Sequence, residues 1–378
     1  MTPPRKSLPG GAFAACCVLM LALAAQRSPA AEASAPAVIA ELGLEEAAQR
    51  ADERAGWQRP RKIIVRDEQS PGIAWLQPAA PGVQLVAART LAEAVAQARD
   101  ADAVIGWCNA DILAAGPRIR WIQGFFAGVE SCVAVPALRE RGVLLTNMQR
   151  AQSPVIAEHA LALMLALARG VDMAVTRQAR SEWGDRAIES GGRLRVLKGK
   201  TLLVVGLGGI GTEVARRAHA LGMRVIATRA SGRTGPEFVS YVGLPEELPK
   251  LAAEADVIVN ALPLTPATRA SFDARIFGAM KPSAFFINVG RGGTVVTPAL
   301  VQALQSGALA GAGLDVTDPE PLPPDHPLWK TSNVIITPHV AAQSDLGTRT
   351  TWEIVRENLR RYVAGERMLS VVDIERGY

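Results

Sequence analysis

The stretch TLLVVGLGGIGTEVARRAHALG, residues 201–222, decides the fold. Residues 201–205 are apolar or β-branched and read as a buried strand, and glycines follow at 206, 208, 209 and 211. Residues 212–221 then put Val214, Ala218 and Leu221 on one face of a helix, which Gly222 ends before a second strand at Met223. Strand, G-x-G-x-x-G turn and helix in this order form the phosphate-binding opening of a βαβ unit. Gly206 permits the tight turn, Gly208 lets the backbone approach a pyrophosphate, and Gly211 lets helix and strand pack closely. Gly209 and Ile210 lead into a helix N-terminus whose free N–H groups and partial positive charge suit phosphates. A ligand-free strand–helix turn is the competing interpretation, and the flanking elements weigh against it.

Working outward, apolar runs at 224–228, 257–261, 284–289, 310–314 and 334–337 complete six strands with 201–205, the number expected of a dinucleotide-binding sheet. Upstream, runs at 63–65, 84–86, 103–106, 120–122 and 143–146 read as buried strands, with helices at 91–98 and 136–141 between them. The expected fold class is therefore α/β: two Rossmann-like or flavodoxin-like domains with parallel sheets and a cleft between them. A long helix joins them. Ser153 is its expected N-cap, Pro154 its first helical position, and 156–168 is apolar almost throughout, which places it between the domains. The expected boundaries are 61–152 with 341–378 for the substrate domain and 153–340 for the dinucleotide domain. The last helix, about 344–364, returns the chain to the first. Residues 31–60 read as an N-terminal extension with an amphipathic helix over 41–54.

The 378 residues are 49% hydrophobic, enough for two packed domains. Arg5 and Lys6 precede an uncharged, mostly apolar run at 10–25, and small residues follow at Ser28-Pro29-Ala30. These are the parts of a secretory signal peptide, 1–30, with an uncleaved anchor as the alternative. The expected location is exported or periplasmic, and cytoplasmic if the signal is not used. Three of the charges behind the formal +5 lie in that segment, Arg5, Lys6 and Arg27, so the remaining chain is close to neutral. Such a balance gives no support to nucleic-acid binding or, after cleavage, to a membrane contact. Cys16 and Cys17 fall in the signal; Cys108 and Cys132 remain, and whether they pair is left open.

At the end of the second strand, where an acid normally binds the adenosine ribose hydroxyls, stands Arg229. An acid repels a 2′-phosphate, whereas an arginine binds it bidentately, and Ser231 and Arg233 can add contacts. The expected cofactor is NADP, with NAD the alternative. Ligands of open α/β sheets bind outside the carboxyl ends of the strands. Those ends offer Leu262-Pro263, Arg291, Asp315 and His339, with Glu320 five residues beyond Asp315. Arg291 can hold a carboxylate or polarise a carbonyl, and His339 can donate a proton to the carbonyl oxygen as hydride arrives at carbon. Glu320, if bonded to His339, favours its protonated form. His159, His219 and His326 are expected to be structural, as a buried helix residue, a helix-surface residue and a loop residue.

In order along the chain stand Gly128-Val129-Glu130, Ile156-Ala157-Glu158-His159, the glycine turn, Leu262-Pro263-Leu264-Thr265, Asn288-Val289-Gly290-Arg291-Gly292, Leu314-Asp315-Val316 with Pro319-Glu320-Pro321, and Thr337-Pro338-His339-Val340-Ala341-Ala342. This ordered series, from about residue 62 onward, resembles the D-isomer-specific 2-hydroxyacid dehydrogenase family, in particular its glyoxylate/hydroxypyruvate reductases. The resemblance implies that Arg291, Glu320 and His339 are catalytic and that Asp315 holds the nicotinamide carboxamide. It also implies that Leu262, Pro263, Val289, Gly290 and His339 line the cofactor. Gly128 and Val129 would donate N–H groups to a substrate carboxylate, and Trp107 and Cys108 occupy a substrate-loop position. The implied activity interconverts a small 2-oxoacid and its D-2-hydroxyacid, without a metal, in a homodimer. A non-enzymatic, nucleotide-sensing protein of the corepressor kind is the alternative. An exported enzyme of this class also lacks an evident cofactor pool, and Arg5-Lys6 is not a twin-arginine pair.

Overall fold

The structure is a computed structural model that describes residues 35–67, 72–183, 194–331, 333–345 and 347–377; the expected signal peptide lies outside them. A short strand β1 (Glu46–Arg50) precedes a parallel sheet of β2 (Lys62–Arg66), β3 (Gln84–Ala88), β4 (Ala103–Ile105), β5 (Trp121–Gln123) and β6 (Leu144–Thr146). Its spatial order is β3-β2-β4-β5-β6, the doubly wound order of flavodoxin-like folds. Along β2, Ile63 and Val65 enter one core and Ile64 another. Both faces of the sheet are covered, so the strand is apolar at every interior position rather than at alternate ones.

The second parallel sheet contains β7 (Thr201–Val205), β8 (Arg224–Thr228), β9 (Tyr241–Gly243), β10 (Val257–Asn260), β11 (Phe285–Asn288), β12 (Gly311–Leu314) and β13 (Val334–Ile336). Its order is β13-β12-β11-β10-β7-β8-β9, a Rossmann arrangement whose winding reverses between β7 and β10. The six expected strands are present. The seventh, β9, is a three-residue edge strand beside β8, too short to leave a periodic signal. Leu202 and Val204 pack on one side of β7, Leu203 and Val205 on the other.

The long helix Ser153–Arg169 differs from expectation in two ways. Its N-cap is Gln152, and Ser153 is already helical and buried. Its buried residues, Ile156 to Ala168, belong to the core on one face of the second sheet, where the helix packs against the helix Gly209–Ala220, rather than to a layer between two domains. On Gly209–Ala220, Val214 and Ala218 are buried as expected, but Leu221 is the C-cap and exposed.

The helix expected over 41–54 does not form. A helix Ala35–Leu42 ends at Gly43, and β1 pairs antiparallel with the last strand, β14 (Arg367–Leu369). Val38, Leu44 and Ala51 join the core of the first sheet, so this segment is built into that unit. Local helix propensity along Glu45–Arg54 yields to backbone pairing with the C-terminal strand. The helix Gly347–Ala364 brings Trp352, Val355, Leu359 and Tyr362 to the same core. Asn358, fully buried, fastens it: its amide donates to Gln123 Oε1 (2.8 Å) and accepts from the Leu369 N–H (2.9 Å).

Candidate active site

The glycine turn sits where β7 ends, beside the reversal of the sheet. Gly206 has φ +97°, and a Cβ there would lie 3.0 Å from the Ala261 carbonyl oxygen. At Gly211 a Cβ would come within 2.1 Å of the Gly206 carbonyl oxygen, which is the close helix–strand packing expected of that position. A Cβ on Gly208 would meet nothing within 4 Å, so its face is open to an approaching ligand. The helix begins at Gly209, three residues earlier than the hydrophobic pattern indicated, because Thr212 N–H already bonds Gly208 O. Gly209 and Ile210 therefore form the helix's first turn, and their N–H groups face outward at its positive end. This cradle fits a dinucleotide pyrophosphate.

Arg229 stands at the end of β8, partly exposed, with its guanidinium on the Thr234 carbonyl (3.2 Å). Ser231 and Arg233 are exposed on the same loop. Arg233 is held by the Tyr241 hydroxyl (3.1 Å) and by Glu247 (2.7 Å), so one acid already competes for it.

Two buried asparagines organise the next loops. Asn260 and Asn288 are register partners at the ends of β10 and β11. The Asn260 amide donates to Asn288 Oδ1 (3.0 Å) and Thr294 Oγ1 (2.7 Å), and its oxygen accepts the Leu262 N–H (3.2 Å). Asn288 accepts the Gly290 N–H and, with Thr294, donates to the Arg291 carbonyl. Leu262-Pro263 and Val289-Gly290 are thus fixed side by side, and a Cβ on Gly290 would lie 2.7 Å from the Leu262 carbonyl oxygen. A Cβ on Gly292 would lie 1.8 Å from the Thr317 carbonyl, which presses the Arg291 loop onto the loop after β12.

That loop carries Glu320, whose Oε1 lies 2.6 Å from His339 Nδ1. Both side chains are nearly half exposed, so the pair opens toward solvent and ligand. His339 has φ +54° and is placed by backbone bonds to Asp315 O (2.9 Å) and Thr337 O (3.0 Å). Asp315 itself is buried. Its carboxylate accepts Thr337 Oγ1–H (2.7 Å) and the N–H groups of Val340 (3.0 Å) and Ala341 (3.1 Å), so its present bonds position the histidine loop. His159 is partly rather than fully buried; its Nε2 is 2.9 Å from Thr337 Oγ1 and 3.4 Å from Asp315 Oδ1. His219 is on a helix surface and His326 in a loop, as expected.

The first sheet supplies the opposite wall. Trp107 and Cys108 follow β4, and Arg66 stacks over the Trp107 ring at 5.6 Å. Cys108 forms a disulfide with Cys132, Cα–Cα 5.4 Å, joining this loop to the short helix Glu130–Val133. Gly128 and Val129 lead into that helix, and Glu130 pairs with Arg291 (2.9 Å), so the two walls touch. Glu130, Asn260, Asn288, Thr294 and Thr337 are not legible as site residues in the sequence, and His159 reads there only as structural. A signal existed for the asparagines: each is a polar residue ending an otherwise apolar buried strand.

Glycine cradle, reversed sheet and a rim of arginine, histidine and carboxylate define a nicotinamide-dinucleotide oxidoreductase. Residues 161–341 match the family model "D-isomer specific 2-hydroxyacid dehydrogenase, NAD binding domain". A glyoxylate reductase of Korarchaeum cryptofilum is 30% identical over 84% of this chain and 97% of its own. A D-isomer specific 2-hydroxyacid dehydrogenase from Xanthobacter autotrophicus, solved with NADPH and MES, superposes with TM-score 0.71 at 30% identity, covering 85% of this chain and all of that one. An NADPH-dependent glyoxylate/hydroxypyruvate reductase from Sinorhizobium meliloti, solved with NADP and sulfate, gives TM-score 0.70 at 29% identity, over 84% of this chain and all of that one. The chain belongs to the D-isomer specific 2-hydroxyacid dehydrogenase family and is an NAD(P)-dependent oxidoreductase acting on CH–OH donors.

Proposed function

We propose that this enzyme reduces a small 2-oxoacid, of the size of glyoxylate or hydroxypyruvate, to its D-2-hydroxyacid with a preference for NADPH. The observation that carries the proposal is the His339–Glu320 pair (2.6 Å), whose glutamate stands on a loop packed against that of Arg291. Reduced nicotinamide, when bound, supplies hydride to carbon 2. Arg291 would bind the substrate carboxylate or polarise its carbonyl with a planar fork of donors. His339, oriented through Nδ1 by Glu320, would give its Nε2 proton to the oxygen as the C=O π bond opens. The new C–H and O–H bonds complete the hydroxyacid, and the proton lost by His339 is restored from solvent. Gly128 and Val129 N–H groups would hold the carboxylate, with Trp107 and Cys108 forming the wall beyond. Leu262, Pro263, Val289, Gly290 and Asp315 would line the nicotinamide end, and Gly206, Gly208, Gly209, Ile210 and Gly211 the pyrophosphate. Substrate and dinucleotide domains would divide as 61–152 with 341–378 and 153–340, the cleft lying between the two sheets. The nucleotide-sensing alternative is not favoured, since the relatives above bear the names of reductases and a dehydrogenase.

Assay of the purified protein with NADPH and short 2-oxoacids tests this. Turnover with at least one acid is expected, with Arg291→Ala and His339→Ala each lowering kcat/KM by about a hundredfold or more while the protein stays folded. A folded protein that turns over none of them contradicts the proposal.

Export and dimerisation belong to the same proposal. A disulfide between Cys108 and Cys132 suits an oxidising compartment and so supports export. Fractionation that finds an intact N-terminus in the cytoplasm would overturn it. Leu165, Val171, Val175, Trp183 and Val196 are large apolar side chains left exposed within one stretch of chain, which supports burial against a second copy. Light scattering should return twice the chain mass, and Val175→Glu should lower it; a concentrated monomer contradicts this arrangement.

A further inference from the structure

The side chain of Arg291 is held at two of its three nitrogens. Nε–H donates to Glu130 Oε1 at 2.9 Å, and Nη1 donates to the Gly290 carbonyl at 2.8 Å. Nη2 turns toward Gly128, where a Cβ would lie only 1.7 Å from it. Glu130 Oε2 is on the same side, 2.7 Å from that Cβ position. Glu130 stands on the first wall, 161 residues before Arg291 on the second, and both side chains are about 30% exposed.

We infer that Glu130 is a positioning residue: its carboxylate grips the Nε edge of Arg291 so that Nη2 is presented to the substrate beside Gly128. The inference rests on the proposed reduction of a 2-oxoacid at this site. A long arginine side chain has many rotamers, and a charge-assisted bond at Nε fixes the plane of the fork before substrate arrives. Gly128 is required by the same geometry, because any side chain there would displace the guanidinium. The arrangement also carries an electrostatic cost. A 2-oxoacid brings a carboxylate to a place where Glu130 already presents one, so Glu130 weakens substrate binding while it orients the group that acts on it. Orientation and affinity are thereby set against each other.

This opposition is what separates positioning from mere structural support. In Glu130→Ala, kcat should fall about tenfold or more, because a loosened fork loses its alignment with the carbonyl. The same variant, loaded with NADPH, should bind oxamate, an unreactive isostere of a 2-oxoacid, at least as tightly as the wild type, since one negative charge is gone. Glu130→Gln keeps an oxygen for Nε–H and should restore most of kcat while keeping the tighter oxamate binding. An activity-independent readout is the Arg291 Nε–H resonance, assigned by its loss in Arg291→Lys. It should be protected from exchange in the wild type and in Glu130→Gln, and broadened in Glu130→Ala.

Unchanged kcat in Glu130→Ala overturns the inference. So does a parallel loss of kcat and oxamate affinity, which would mark Glu130 as a structural strut, and so does an unprotected Nε–H in the wild type. If the wild type binds oxamate and shows the protected resonance yet reduces no 2-oxoacid, the functional proposal fails while the Glu130–Arg291 placement stands. If the wild type turns over but the Glu130 variants match it, the reverse holds.

Discussion

Gly211 has no side chain because the Gly206 carbonyl oxygen occupies the space a Cβ would need, 2.1 Å away. Gly211→Ala must push the helix Gly209–Ala220 off β7, at a cost of about 1–3 kcal/mol. Melting with and without NADPH should show a lower Tm in both cases and a smaller rise on adding cofactor. At the other end of the same cofactor site, Arg229→Ala should raise KM for NADPH about tenfold or more and leave KM for NADH nearly unchanged, because the proposed 2′-phosphate contact belongs to NADPH alone, whereas the Thr234 carbonyl bond is lost for both cofactors. Equal effects on the two cofactors would remove Arg229 from that role. Such single-residue expectations were legible in the sequence because each rests on local chemistry: a glycine spacing, or a residue ending a strand. Glu130, Asn288 and Thr337 were not, since what they do depends on partners brought in by folding, 161 residues away in the case of Glu130. His159, expected in the interior, lies at the edge of the Asp315 network, reached through Thr337.

At the scale of elements, the parallel strands were readable because burial on both faces makes each a continuous apolar run, as in Val257–Asn260 and Phe285–Asn288. Segment 41–54 was not, because its composition favours helix whereas its backbone pairs with β14. The long helix was legible in extent but not in placement: an apolar helix announces burial and does not say against what. Within the C-terminal helix Gly347–Ala364, Glu357 accepts bonds from Arg361 Nε (2.7 Å) and from Arg360 Nε (3.0 Å) and Nη2 (2.9 Å). Arg361 continues to Glu46 (2.7 Å) on β1. Burial works against the charge on Glu357, but the bonds from Arg360 and Arg361 outweigh it and hold the carboxyl below its usual range. A depressed value in the folded state means that this stabilisation is complete above the unfolded carboxyl value, about 4.3, and is lost as pH falls through the folded value. Glu357→Gln should therefore lower stability by about 1–3 kcal/mol at neutral pH. Denaturant titrations across pH should show the gap to the wild type closing in acid; a gap that widens there would contradict the sign.

For the molecule as a whole, two sheets of different winding meet at the Glu130–Arg291 pair, and the chain passes from one to the other between β6 and the long helix and returns after β13. The two-sheet plan was visible in the sequence as two series of alternating elements. The Cys108–Cys132 bond was not, because spacing alone does not bring one loop beside another. It closes a loop with a separation of 24 residues, so its loss should cost about 3 kcal/mol. Cys132→Ser, or reduction of the wild type, should lower the midpoint of unfolding to the same extent; no change on reduction would mean that the bond does not form in solution. In the proposed reaction hydride passes to carbon 2 of a 2-oxoacid and leaves the D-configuration. The most direct measurement uses NADPH deuterated on the transferring face with hydroxypyruvate, followed by chiral analysis and mass spectrometry of the product. The expected product is D-glycerate with one deuterium at carbon 2; L-glycerate, or no labelled hydroxyacid from the folded enzyme with any short 2-oxoacid and either deuterated NADPH or NADH, is the opposite result.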